Sequence, residues 1–432
     1  MRMICVLAVA AASLAANDAA PRIDESRILP MDHPAIAYST EDATDRIAQL
    51  QRRLLSGETK LVYREPFGYL LSLLKALDVP LSSQVLPFSK TSFQAVRIFP
   101  RIPRALYHSD DVSVGYVRGG DVLELVAADA RQGAVFYTLD QVETSRTRLD
   151  RRSECVGCHL GAGTVGVPGL LVRSVFVERS GMPMRGPSFL TDHRSPLKQR
   201  WGGWYVSGEH GSQVHMGNLT LERGQSPAHA DLAAKGNVVN LKPYFDVGAY
   251  PSPHSDLISL MMLEHQTRMT NLLIRLGYET RIAFHDAPAA KTLDDLPAVE
   301  GSKIEAATEE LLRYMLFTDE ALLEEPIRGT SGYADEFSAR GPQDGEGRSL
   351  YQLDLEQRLL RHPCSYLIYS LLFDGLPAPA KNRLYHRLGE VLRGEDESPD
   401  FERLSAEDRT AIREILTDTK PDIAAYWQAS RR

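Results

Sequence analysis

Val112-Ser-Val-Gly-Tyr-Val117, Val122-Leu-Glu-Leu-Val126 and Ala134-Val-Phe-Tyr-Thr138 are three short β-rich runs, separated by Gly119-Gly120 and by Arg131-Gln-Gly133. Runs of β-branched and aromatic residues bounded by glycine turns specify strands, and connections this short specify antiparallel neighbours. The expectation is an antiparallel meander within residues 92–138. Before it, residues 40–55 place Ile47, Leu50 and Leu54 at helical spacing, and residues 68–77 (GYLLSLLKAL) form a second helical candidate. After it, residues 170–178 (LLVRSVFVE) suggest one more strand, and a Gly- and His-rich, loop-rich region fills 181–255. Beyond that the pattern turns helical over about 255–278, 303–323, 349–373, 379–393 and 405–418. Pro-, Gly- and acid-rich connections lie at 286–301 and 325–348; the second is long for a structureless loop.

These elements predict an α+β fold, with a β-rich centre, N-terminal helices and a large C-terminal helical part. The divisions expected are a signal peptide over 1–15, an N-terminal helical segment over 16–90, a β-rich cofactor-binding region over 91–252 and a helical region over 253–432.

Composition narrows the function. The 432 residues are 43% hydrophobic and 25% charged, which excludes a disordered chain, a collagen-like repeat and a polytopic membrane protein. A net charge of −8 argues against a nucleic-acid partner, which requires a basic face. Four cysteines are too few for a disulfide scaffold. The first fifteen residues, MRMICVLAVAAASLA, have a basic start, an apolar core and small residues before Asn17, the pattern of a secretory signal peptide. That core is short for a membrane span, and the mature chain is expected to have none. The expected product is exported, periplasmic or extracellular, and loses Cys5 with the signal.

Cys155-Val-Gly-Cys158-His159 carries the chemistry. At this chain's composition such a C-x-x-C-H match arises by chance roughly once per thousand sequences. Two thiols three positions apart can each add to a vinyl group of one haem, and the next residue places an imidazole against the iron. Three other readings compete. A redox dithiol would use the same cysteines, but the histidine and the absence of a thioredoxin-like βαβ context speak against it. A disulfide would be a tight local ring. Zinc would need two more ligands; Cys364 is the only other mature cysteine, and no histidines are paired at H-x₃₋₅-H on a helix.

On this pentapeptide and the export signal the chain resembles the c-type cytochromes. More widely it is similar to large secreted bacterial proteins with a single cytochrome c-like motif and no assigned reaction. The stretches carrying that likeness are Phe136-Tyr-Thr-Leu-Asp140, Arg200-Trp-Gly-Gly-Trp-Tyr205, His215-Met-Gly-Asn218 and Pro363-Cys-Ser-Tyr-Leu-Ile-Tyr369. The resemblance implies one covalent haem c, bound by Cys155 and Cys158 with His159 as proximal iron ligand, and a redox partner that the sequence does not identify.

The sixth iron position separates an electron carrier from an enzyme. Met182, in Ser180-Gly-Met-Pro183, is one distal candidate; its bland alternative is a turn between strands. His215 is a second, in a Gly-rich loop with His210 and Met216, where Trp201 and Trp204 are candidates to cover the porphyrin. His265 is a third, in mid-stripe on an apolar helix face with Met261, Met262, Met269 and Leu272, where a satisfied core histidine is the alternative. Gly161-Ala-Gly163-Thr-Val-Gly166 matches G-x-G-x-x-G without the strand and helix a dinucleotide site needs, so these glycines are expected to allow close backbone approach to the haem edge instead. Cys364 is expected to be a buried free thiol in a helix. Four functions stay open: an exported mono-haem electron carrier, a haem-dependent oxidoreductase with an open distal site, a non-catalytic binding or sensing module with haem as a structural or gas-responsive group, and a haem-free exported dithiol protein.

Overall fold

Helix α1 (Arg46–Leu55) starts where Asp45 turns its carboxylate back onto the amides of Ile47 and Ala48, at 2.8 and 3.0 Å. That cap fixes the helix start six residues inside the 40–55 pattern. The computed structural model describes residues 22–430, so the expected signal segment lies outside the described residues. Helix α2 (Leu70–Leu77) stops at Asp78, whose left-handed backbone closes the last turn. A two-residue strand, β1 (Leu86–Pro87), follows.

The meander then forms with the expected connectivity. Strands β2 (Arg104–His108), β3 (Val112–Val117), β4 (Val122–Asp129), β5 (Gly133–Asp140) and β6 (Leu149–Arg151) pair antiparallel in chain order. The register Leu106↔Gly115↔Glu124↔Thr138 places those residues on one face, together with Val126 and Phe136. The opposite face carries Tyr107, Val114, Leu125 and Tyr137, all buried. Helices α1 and α2 lie against β4 and β3, and the Tyr137 hydroxyl donates to Asp45.

The first face has two neighbours. At one end it meets helix α4 (Leu257–Asp286), where His108 Nε2 lies 2.8 Å from Ser259 Oγ. At the other it meets the short helix α3 (Val156–His159). Strands β7 (Arg173–Val177) and β8 (Pro183–Leu190) form a separate hairpin, with a register break between Val175 and Val177. Strand β9 (Trp204–Tyr205) returns to pair with β1. Strand β8 lies inside the region expected to be loop.

The helical part opens with α4 (Leu257–Asp286), capped by Asp256 and buried through most of its length. It continues with α5 (Ala298–Met315), α6 (Tyr333–Ser338), α7 (Leu371–Asp374), α8 (Ala378–Arg393), α9 (Ala406–Thr419) and α10 (Pro421–Ala429). Helix α5 ends well before residue 323, because Phe317 takes a positive φ of 55°. The helix expected over 349–373 does not form. Pro363 removes a donor and biases His362 away from helical geometry. Asp354 meanwhile draws three backbone amides, those of Glu356, Gln357 and Arg358, into a local turn. Cys364 is a buried free thiol as expected, but it sits in a bend and not in a helix.

One buried apolar cluster runs from Leu29 to Trp427 through the N-terminal, β-rich and helical parts alike. No helix among the described residues is long and apolar enough to cross a membrane.

Candidate functional site

The C-x-x-C-H motif directly follows the meander. Arg152 ties its approach to β5, donating its backbone amide to Phe136 and its Nε to Thr138 Oγ1, both at 2.8 Å. Cys155 has right-handed helical backbone angles and leads into α3, so Cys155 to His159 form one helical stretch. Positions i, i+3 and i+4 share a helix face, so both thiols and the imidazole lie on the same side. Both thiols are free; Cys155 is half-buried and Cys158 exposed.

His159 is fixed from behind. Its Nδ1 lies 2.9 Å from the carbonyl oxygen of Gly169. A carbonyl only accepts, so Nδ1 carries the ring proton and the lone pair is on Nε2. Among the described residues Nε2 has no hydrogen-bond partner. This is the arrangement in which a backbone carbonyl orients a metal-binding imidazole and raises its basicity. The Phe136 ring supports the imidazole with a centroid separation of 4.7 Å. Burial lowers the pKa of His159, with the Gly169 hydrogen bond opposing, and so favours the neutral ring.

The loop that supplies Gly169 is held at several points. Thr164 Oγ1 donates to the Val167 carbonyl at 2.7 Å, and the Gly161 amide lies 3.1 Å from the same hydroxyl. Asn271 of α4 clamps Leu170 from both sides, accepting its amide at 3.0 Å and donating to its carbonyl at 2.7 Å. Arg275, one turn further, donates to the Val165 carbonyl at 2.6 Å. Gly166 has φ of +75°, and a Cβ there would stand 2.0 Å from the Arg27 carbonyl oxygen. The second and third glycines of the G-x-G-x-x-G match meet protein at close range. Gly163 faces Leu190 and Gly166 faces the N-terminal segment.

Charge beside the motif is paired. Arg104 and Glu124 form an ion pair on the sheet face, and Gln94 donates to Glu124 at 2.9 Å. Burial raises the pKa of Cys155, and Glu154 and Glu124 add to the effect.

The distal candidates fall elsewhere. Met182 occupies the turn between β7 and β8 and is 51% exposed. Gly181, with φ of +81°, makes that turn, which is the bland alternative for this stretch. Leu190, at the other end of β8, is the end that touches the motif's loop, at Gly163. Strand rise separates Met182 from Leu190 by roughly 26 Å.

His215 is buried, and its Nδ1 accepts the Gly217 amide at 3.0 Å, so the ring proton is on Nε2. It packs against Trp201 and His210, and burial pushes its pKa down to about 3. His265 has both ring nitrogens engaged, Nδ1 with His193 and Nε2 with Ser365, each at 2.8 Å. It stacks on Phe317 and His193 inside the helical part. No hydrogen bond or ring contact among the described residues joins His215 or His265 to the motif. In this structure neither imidazole offers a free lone pair. Trp201 and Trp204 are likewise body residues, and Trp204 donates its indole N–H to the Arg173 carbonyl at 2.9 Å.

A second concentration of polar side chains surrounds His265, and the sequence pattern did not single it out as a unit. Arg200 and Glu264 form an ion pair at 3.1 Å with almost no solvent exposure. Desolvation outweighs the guanidinium and lifts Glu264 to about 7. His193 stacks on Tyr314 and Phe317, and its Nε2 is buried without a partner, as is Glu264 Oε1.

Comparison of the chain with protein-family models, with curated proteins and with solved structures returns no match.

Proposed function

We propose that the chain is an exported mono-haem c-type cytochrome that binds haem covalently and transfers electrons. Cys155 and Cys158 would hold the group through thioethers and His159 Nε2 would be its proximal ligand. Haem bound there supplies a one-electron iron couple.

The observation that carries the reading is the orientation of His159. Its proton is committed to Gly169, and its lone pair is on a nitrogen with no hydrogen-bond partner among the described residues. It shares a helix face with two free thiols. The chain's own part is to hold that imidazole neutral and in one tautomer, through Gly169, Phe136 and the Asn271 clamp on the neighbouring residue.

The competing uses of the cysteines fare worse. A reactive dithiol needs a thiolate stabilised by nearby positive charge; here burial and Glu154 push Cys155 the other way. Zinc needs ligand atoms that converge. Among the described residues, the His/Cys/Asp/Glu group that does converge is elsewhere and contains none of Cys155, Cys158 and His159.

The test is expression of the full chain in a host with haem-attachment machinery, followed by haem staining after denaturing electrophoresis. A stained band that is lost in Cys155→Ala/Cys158→Ala supports the reading. Folded, exported protein with no stain overturns it, and so does a stain that survives both substitutions.

A further inference from the structure

The converging group lies far from the motif, where the N-terminal segment crosses the end of α4. His33 Nε2 stands 3.1 Å from Asp286 Oδ1, and His285 Nδ1 stands 3.2 Å from the same oxygen. His33 and Asp286 are 253 positions apart in the chain. The three ligand atoms all lie within 4.8 Å of one another. We propose that His33, His285 and Asp286 form a binding site for a divalent transition-metal ion of the zinc, copper and nickel class, clasping the N-terminal segment to α4.

Two imidazole nitrogens and one carboxylate oxygen are a donor set suited to that class. Metal bonds of about 2.0–2.2 Å in a tetrahedral site put neighbouring ligand atoms about 3.3–3.5 Å apart. Both nitrogens already stand near that distance from the shared oxygen, so an ion can replace the two ring protons now facing Oδ1 with small side-chain adjustments. The two rings meet edge to face, with centroids 5.0 Å apart, which leaves both nitrogens directed at the carboxylate. Asp286 and His285 close the C-terminal turn of α4, where the helix dipole favours positive charge.

The backbone under His33 is fixed. Arg131 donates Nε to the Ala35 carbonyl at 3.0 Å, and Gln132 donates to the Ala37 carbonyl at 3.2 Å. His285 and Asp286 are exposed, so the remaining coordination positions belong to water. Binding has one local cost. The Ala35 amide faces His33 Nδ1 across 3.2 Å, and a metal on Nε2 moves the ring proton to Nδ1, so this contact is given up.

The site is independent of the haem reading and is tested without haem. The protein is the untagged full chain carrying Cys155→Ala and Cys158→Ala, so that neither thiol of the motif competes for the probe. Cobalt(II) is titrated and its d–d absorption followed, and zinc binding is measured by calorimetry and by thermal unfolding. The expected result is one ion per chain, a d–d band of a nitrogen- and oxygen-ligated ion, and a melting temperature raised by zinc. Substituting His33→Ala or His285→Ala in that protein should abolish all three, while the metal-free melting temperature stays with the parent. Asp286→Asn should weaken binding. No stoichiometric binding by the parent, or binding unchanged in His33→Ala and His285→Ala, overturns the proposal.

Discussion

Replacing Asn271 by alanine removes the clamp on the loop that orients His159. The Asn271 side chain is buried and makes two hydrogen bonds to Leu170, at 3.0 and 2.7 Å. Each lost bond that leaves a backbone group unpaired costs about 1–3 kcal/mol. Leu170 is only partly buried, so water recovers part of that loss, and about 2–4 kcal/mol in total is expected. Gly169→Ala attacks the same amide from the other side, because its Cβ would stand 2.3 Å from Asn271 Oδ1. The two substitutions should therefore not add. Once Asn271 is alanine, the new methyl loses its two closest contacts and keeps only the 3.1 Å one to Thr164 Cβ, and the double variant should cost at least 1 kcal/mol less than the sum of the singles. Urea unfolding of the four proteins gives this cycle. In haem-loaded protein, Asn271→Ala should also shift the absorption spectrum through the imidazole. An Asn271→Ala protein within about 0.5 kcal/mol of the parent, or strict additivity with Gly169→Ala, would refute the claim that this clamp sets the loop.

Other outcomes follow from single contacts and from burial. Gly166→Ala should cost about 1 kcal/mol in urea unfolding from the positive φ, and more in total because the Arg27 backbone must also move aside. Met182→Ala should leave stability within about 0.5 kcal/mol, since the side chain is exposed; a changed haem spectrum in that variant would identify Met182 as a ligand. Burial holds His108, His215 and His265 at about 3, so each contributes stability above its unfolded pKa that is lost as pH falls toward 3. Glu264 and Glu320, lifted to about 7, and Asp111, lifted to about 6, act in the opposite sense. Their cost is relieved as pH falls toward the unfolded carboxylate range. Between pH 7 and 5 the two sets oppose each other, with His193, held well below the usual imidazole range by burial, adding to the first; below pH 5 the carboxyls' relief nears completion and the histidines win at about 1.4 kcal/mol each per unit. Urea midpoints should thus fall more steeply below pH 5 than between pH 7 and 5. An equal slope through both ranges would contradict the raised pKa values of those carboxyls.

The meander was legible because its strands are local: three β-rich runs and two glycine turns state both the elements and their order. The α+β class followed, as did the helices of the C-terminal part whose ends are capped by nearby residues. What failed was decided by contacts across the chain or by local polar competition. Residues 349–373 have enough apolar side chains for a helix, yet Pro363 and the Asp354 turn break it. The motif itself was explicit, since five consecutive residues carry it. Its supports were not, because Gly169 and Asn271 matter only once the loop folds back on His159 and α4 crosses Leu170. His265 looked available on a helical wheel, but the wheel does not show that His193 and Ser365 take its two nitrogens. The His33, His285 and Asp286 group has no sequence spacing at all, because the fold alone brings residue 33 to the end of α4.

The central claim is tested most directly by quantifying covalent haem on the mature chain, purified from a host with attachment machinery. The account predicts one haem per chain, retained through denaturation and absent from Cys155→Ala/Cys158→Ala. Folded protein without covalent haem, in a host that loads a control cytochrome, would contradict it.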